Sequence, residues 1–212
     1  MTVLHHELVA FASRQDRPRW LSGRFADLLE GSVLDVGCDA AVLRDHVTRG
    51  HYVGVDRSSA ADVKHDLQSG GALPFADRSF DTVICTDVLE HLDNLHAIFA
   101  ELVRVSARHV LVSLPNNWNA ARLPLRRGRG SFKHYGLPLD PPEDRHRWFF
   151  SLIEAREFLE GQAERQGLVI RELIALEKPR RRALVLLRRL LHPGPRYLNL
   201  FSHTLVCHYE RG

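Results

Sequence analysis

Residues Val33-Leu34-Asp35-Val36-Gly37-Cys38-Asp39 constrain this chain more than any other stretch. A short apolar run carries a carboxylate and then breaks at a glycine. Nineteen residues after Gly37 a second run, Tyr52-Val53-Gly54-Val55, ends in Asp56. A first strand that ends in a tight turn and a second that ends in an acid make up a nucleotide site: the turn lets a ligand lie against backbone, and the acid accepts from ribose hydroxyls. The turn departs from a glycine-rich one, with Asp39 and Ala41 where further glycines would stand. Asp39 tolerates left-handed backbone better than most residues.

The rest of the chain repeats this alternation. Strands are predicted at Ser32–Val36, His51–Val55, Val63–Asp66, Phe80–Thr86, His109–Leu114, Leu168–Ala175 and Phe201–Tyr209. Helices are predicted at Thr2–Ser13, Arg19–Leu29, Ala40–Arg49, Leu92–Val105 and Leu152–Gln166. Strands alternating with helices predict an α/β, Rossmann-like three-layer sandwich. Its seven-stranded sheet is mostly parallel, with an antiparallel last strand added at the sheet edge as a hairpin after His192-Pro193-Gly194-Pro195. The 212 residues are read as one domain: N-terminal helices over 1–30, a cofactor-binding half over 31–115, a substrate-covering loop over 116–150, and 151–212 completing the sheet. The loop carries four prolines and three glycines between Asn116 and Arg147 and is too long for a routine connection.

Composition excludes some classes. With 44% hydrophobic and 26% charged residues, this is an ordinary globular composition. No apolar run approaches the roughly 18–20 residues of a membrane span, and the N-terminus lacks the pattern of a signal peptide. Cys38, Cys85 and Cys207 are far apart and form no C-x-x-C, which points to reduced thiols and a cytoplasmic setting. Residues 1–100 hold nine Lys and Arg against fifteen Asp and Glu, whereas residues 101–212 hold twenty against eleven. A basic half suits an anionic partner or a solvated face. Arg180–Leu191 reads as a basic amphipathic helix, packed on the domain or lying on an anionic membrane. Arg126-Arg127-Gly128-Arg129-Gly130 is weak evidence for nucleic acid without interleaved aromatics.

Val33–Cys38 resembles motif I of the class I S-adenosylmethionine (SAM) methyltransferases. Four further elements follow in that family's order: Val53-Gly54-Val55-Asp56, Asp66-Leu67, Leu73-Pro74-Phe75 with Ser79–Ile84, and Asp87-Val88-Leu89-Glu90-His91-Leu92. The resemblance covers about residues 30–115 and implies a SAM cofactor held by Asp35, Gly37, Cys38, Asp39, Asp56, Arg57, Asp66, Leu67, Thr86 and Asp87. Asp56 suits the ribose diol, Asp66 the adenine amine, and Asp35 the turn amides or the amino-acid end. The implied activity is methyl transfer, to an oxygen of a small or lipid-linked acceptor. His91, His146 and His134 are the candidate bases, because imidazole titrates near neutral pH; His91 and His146 are favoured.

Asp87, Glu90 and His91, with His146 before the Leu152–Gln166 helix and Leu114-Pro115-Asn116, also resemble the small-RNA 2′-O-methyltransferases. That resemblance implies a divalent metal held by those four side chains and an RNA ribose acceptor, with Asp87 standing where the family has a glutamate. The simpler expectation is pocket-lining histidines without a metal. A third reading, motivated by Asp39 and Ala41, is a non-catalytic regulatory subunit on the same fold.

Overall fold

The computed structural model describes residues 3–13, 15–132, 134–142 and 144–212. Its centre is an eight-stranded sheet: β1 (Leu4–Leu8), β2 (Ser32–Val36), β3 (His51–Asp56), β4 (Val63–Lys64), β5 (Phe80–Thr86), β6 (Ser106–Pro115), β7 (Leu168–Glu177) and β8 (Ser202–Arg211). The spatial order is β1-β7-β8-β6-β5-β2-β3-β4. β8 runs antiparallel to β6 and β7, and the other pairings are parallel. The helices are α1 (Asp16–Arg24), α2 (Leu95–Val105), α3 (Asn117–Arg127), α4 (Leu152–Gln166), α5 (Arg182–Leu191) and α6 (Pro195–Phe201).

The three layers follow from side-chain alternation. Val33, Ile84, Leu111, Ile174 and Val206 face one side and pack on Leu21, Phe25, Leu29 and Leu43. Their neighbours Leu34, Val83, Val112, Leu173 and Cys207 face the other, against α2 and α4. Both faces are covered, so the central strands are apolar throughout. Each fully buried leucine, such as Leu102 or Leu159, contributes about 2 kcal/mol. α4 starts where its sequence says it should: Ser151 Oγ accepts from the Glu154 amide at 3.2 Å, and the Glu154 carboxylate accepts from the Ser151 amide at 2.8 Å.

Several sequence expectations are corrected. The sheet has eight strands, not seven, because Leu4–Leu8 is a strand rather than part of a helix over Thr2–Ser13 (Thr2 lies outside the described residues). Its five residues pair with Leu173–Glu177 on the exposed edge of β7, a long-range pairing that overrides local propensity. The predicted helix Ala40–Arg49 is a short 3₁₀ turn over Val42–His46. β8 does not hang on the sheet edge; it lies between β6 and β7. The supposed loop opens with α3, which continues despite Pro124; Lys133 and Glu143 of that loop lie outside the described residues.

Candidate functional site

The carboxyl ends of β2, β3, β5, β6 and β7 lie along one edge of the sheet. Two hollows sit there, of about 720 and 520 Å³, and share Gly37, Asp39, Asp87 and Asp144. Together they form one cleft over β2, β3 and β5, at the point where strand order reverses from β2-β3 to β5-β6.

All ten residues assigned to the cofactor from sequence line this cleft. Asp56, Arg57, Asp66 and Leu67 border the larger hollow; Asp35, Cys38 and Thr86 border the smaller. Gly37 has φ +77°, and a Cβ there would stand 2.4 Å from Val88 Cγ2, so the turn fits against Val88, just past the end of β5, only without a side chain. Asp39 and Ala41, the departures from a glycine turn, both adopt left-handed backbone, with φ +48° and +52°. Each such conformation costs a non-glycine residue about 1–2 kcal/mol, and the turn is held in spite of it. The Asp39 and Ser58 amides donate to the two oxygens of Asp56 at 3.0 and 2.9 Å.

Asp35 is buried beneath the turn and accepts from Tyr52 Oη at 2.8 Å. Burial, reinforced by the nearby Asp56 charge, pushes its carboxyl up to about 6. Burial also pushes the Cys38 thiol up to about 12, so it is a packing thiol and not a nucleophile.

A second constellation lies beyond Asp87. Asp87 itself has φ +52°. It is held by an ion pair with Arg17 and by Ser113 Oγ, which donates to it at 2.7 Å. Next along the chain, Glu90 is buried, with Oε2 unpartnered among the described residues. Burial, then the Asp87 charge, drives its carboxyl well above the usual range. His91 Nδ1 stands 2.9 Å from an Asp144 oxygen, and His91 Nε2 stands 3.8 Å from Glu90 Oε1. His134 engages the other Asp144 oxygen at 3.3 Å and stacks on His146, with ring centroids 4.2 Å apart. The His91 and His146 rings meet edge to face at 4.5 Å. Burial, then the neighbouring His91 and His134, pulls His146 down to about 4, so it is a neutral imidazole at physiological pH.

Ligand atoms of Glu90, His91 and His146 lie within 4.8 Å of one another. The structure therefore brings together three of the four side chains that the sequence grouped. Asp87 is not in this group; Arg17 and Ser113 hold its carboxylate.

The sequence matches a family model described as a methyltransferase domain over residues 7–173. The chain belongs to the methyltransferase-domain family. Its cofactor is S-adenosylmethionine. Magnesium protoporphyrin IX methyltransferase from Synechocystis PCC 6803, solved with bound S-adenosylhomocysteine (SAH), is 18% identical, with a TM-score of 0.55 over 93% of this chain and 83% of that one. A SAM-dependent methyltransferase from Archaeoglobus fulgidus is 16% identical, with a TM-score of 0.60 over 95% and 96%. The small RNA methyltransferase HEN1 is 17% identical, with a TM-score of 0.57 over 97% of this chain and 26% of that one. These likenesses establish the fold. No curated protein matches the sequence.

Some residues at the methyltransferase cleft gave no signal in the sequence. Arg17 on α1, Tyr52 and Ser113 reach it from distant segments. Asn117 and Tyr135 meet His146 Nδ1 at 3.3 and 3.1 Å. Asp144 stands two residues before His146, but only the fold shows that it bridges two histidines.

Proposed function

We propose that this methyltransferase acts on an oxygen of a small or lipid-linked acceptor, with His146 as the base and His91 beside it. The observation that carries this reading is the buried, uncharged His146, packed edge to face on Tyr135 and on His91, which itself lines the cleft. The Tyr135 hydroxyl donates to the Trp148 carbonyl, and its oxygen and the Asn117 Nδ2 amide both meet His146 Nδ1, at 3.1 and 3.3 Å. As a neutral imidazole, His146 would take the acceptor's proton on the ring nitrogen that carries the lone pair. SAM supplies the activated methyl group; the chain aligns the acceptor, excludes water and removes one proton.

On this reading Asp56 and Arg57 serve the ribose, and Asp66 and Leu67 the adenine. Asp35, Gly37, Cys38, Asp39 and Thr86 form the wall for the methionine part. Arg17, fixed by Asp87, is placed to meet that part's carboxylate. The chain works as one methyltransferase domain. Its three thiols, buried and unbonded to one another, suit a cytoplasmic setting.

The test uses methyl-labelled SAM with hydroxylated small molecules and lipid extracts. His146→Gln should lower turnover about 10²–10⁴-fold while SAH affinity, read by isothermal titration, stays unchanged. Asp56→Ala should abolish SAH binding. Full turnover in His146→Gln removes the base, and unchanged affinity in Asp56→Ala removes the cofactor assignment.

One observation favours a second reading. The unpartnered Glu90 Oε2 beside two imidazoles is a donor set that fits Mg²⁺, Mn²⁺ or Fe²⁺. Glu90, His91 and His146 would hold the ion, which would lower the pKa of an acceptor hydroxyl such as a ribose 2′-OH of RNA. Methylation of RNA that is lost with EDTA and restored by Mn²⁺ supports this reading; chelator-insensitive turnover eliminates it.

A further inference from the structure

Helix α5 is mounted inside out. Two of its three arginines reach back to the protein: Arg188 lies over the Phe201 ring at 4.4 Å and 3.7 Å from the buried Glu177. Arg189 lies over Tyr197 at 5.2 Å and reaches His6 at 3.4 Å. None of the helix's residues is buried. The opposite face holds Leu184, Leu186, Leu187, Leu190 and Leu191, exposed at 40 to 80%. A surface helix ordinarily buries its apolar stripe and shows its charges; here the stripe faces out.

The rim of that stripe is cationic. Lys178, Arg180, Arg181, Arg182 and Arg196 are exposed around the helix, and no acidic residue occurs from Lys178 to Tyr209. α3 continues the same surface. Its Arg122 also lies over the Phe201 ring, at 4.5 Å, and Leu125, Arg126 and Arg127 are exposed. Both helices follow strands whose carboxyl ends lie along the same edge of the sheet as the cleft: α3 follows β6, and α5 follows β7.

We infer that α5, extended by the end of α3, is a membrane-docking surface for a bilayer rich in anionic lipids, lying in the interface and not crossing it. Leucines flanked by arginines match acyl chains beneath acidic headgroups. No helix among the described residues is long and apolar enough to span a bilayer. A second copy of the chain fits the same face poorly, because the two cationic rims would oppose one another. Docking would set the cleft's edge of the sheet toward the lipid surface. Membrane binding is independent of acceptor chemistry and is measured without turnover.

The test is co-flotation of the full-length protein with phosphatidylcholine vesicles, with and without phosphatidylglycerol. The protein should float with the phosphatidylglycerol vesicles, less with phosphatidylcholine alone, and less as salt rises. The double variant Leu186→Glu/Leu190→Glu should weaken partitioning by about tenfold or more. Because both side chains are exposed, its melting temperature and SAH affinity should not change. Failure to float, equal binding to neutral vesicles, or flotation unaffected by the double variant overturns the proposal. So does a dimer, seen by sedimentation at rising concentration and lost in the same variant, without vesicle binding.

Discussion

Asp35→Asn should make the cofactor-free protein more stable and a poorer binder. The wild-type carboxyl titrates near 6 in the fold against an ordinary 3.8. Between those values the native state holds more protons than the open chain, so stability falls as pH rises through the window. Its favourable contribution is complete below pH 3.8 and gone above 6. At about 1.36 kcal/mol per pH unit of difference, the ionised carboxylate costs about 3 kcal/mol at pH 8. Asparagine removes that cost but keeps an oxygen for Tyr52 Oη, which now donates to a neutral acceptor at a loss of about 1 kcal/mol. The net gain is about 2 kcal/mol at pH 8, a rise of about 4–8 °C in melting temperature for a chain of this size. Near pH 4 the gain should vanish. Urea titrations of both proteins from pH 4 to 8 measure the difference, and isothermal titration with SAH should show weaker binding by the variant. Equal stability at pH 8, or a difference that does not shrink toward pH 4, refutes the burial argument. Unchanged SAH affinity refutes the placement of Asp35 against the cationic amino-acid end.

Other consequences are as direct. Gly37→Ala puts a methyl group 2.4 Å from Val88 Cγ2 on left-handed backbone; denaturant titration should show a loss of about 2–4 kcal/mol, together with lost SAH binding. His208 is buried beside His109, with its Nε2 3.2 Å from His109 Nδ1; burial, then the His109 charge, holds it down to about 4. An unfolded histidine titrates near 6.5, so below that pH the open chain binds the extra proton and stability falls as pH drops toward 4. His208→Leu should flatten that acid limb in urea titrations, and an unchanged slope would show that His208 does not contribute.

Much of the site was legible because its residues are local in sequence. Val33–Asp39, Asp56, Asp66 and Asp87 stand at strand ends, and parallel β2, β3 and β5 carry their carboxyl ends to one edge. A strand-turn-acid pattern thus determines a cleft before any packing is known. The apolar strands and the one-faced α2 were legible for the same reason. What was not legible depends on partners far along the chain. Leu4–Leu8 has no strand signal of its own and becomes one by pairing with β7. α3 forms across a Pro- and Gly-rich stretch where Asn117 and Phe150 exchange contacts: the Asn117 amide donates to the Phe150 carbonyl, and Asn117 Oδ1 accepts from the Phe150 amide.

The sequence by itself determined the alternating fold, the cofactor turn and the identity of the histidines, because periodicity and strand-end chemistry are local. Only the tertiary structure decided three things. Asp87 is held by Arg17 and Ser113, apart from Glu90, His91 and His146. His146 is neutral because burial and two other imidazoles surround it. α5 turns Arg188 and Arg189 toward the domain because Glu177, Phe201 and Tyr197, brought together by β7 and α6, offer a buried carboxylate and two ring faces that hold guanidinium groups more strongly than they would hold leucines.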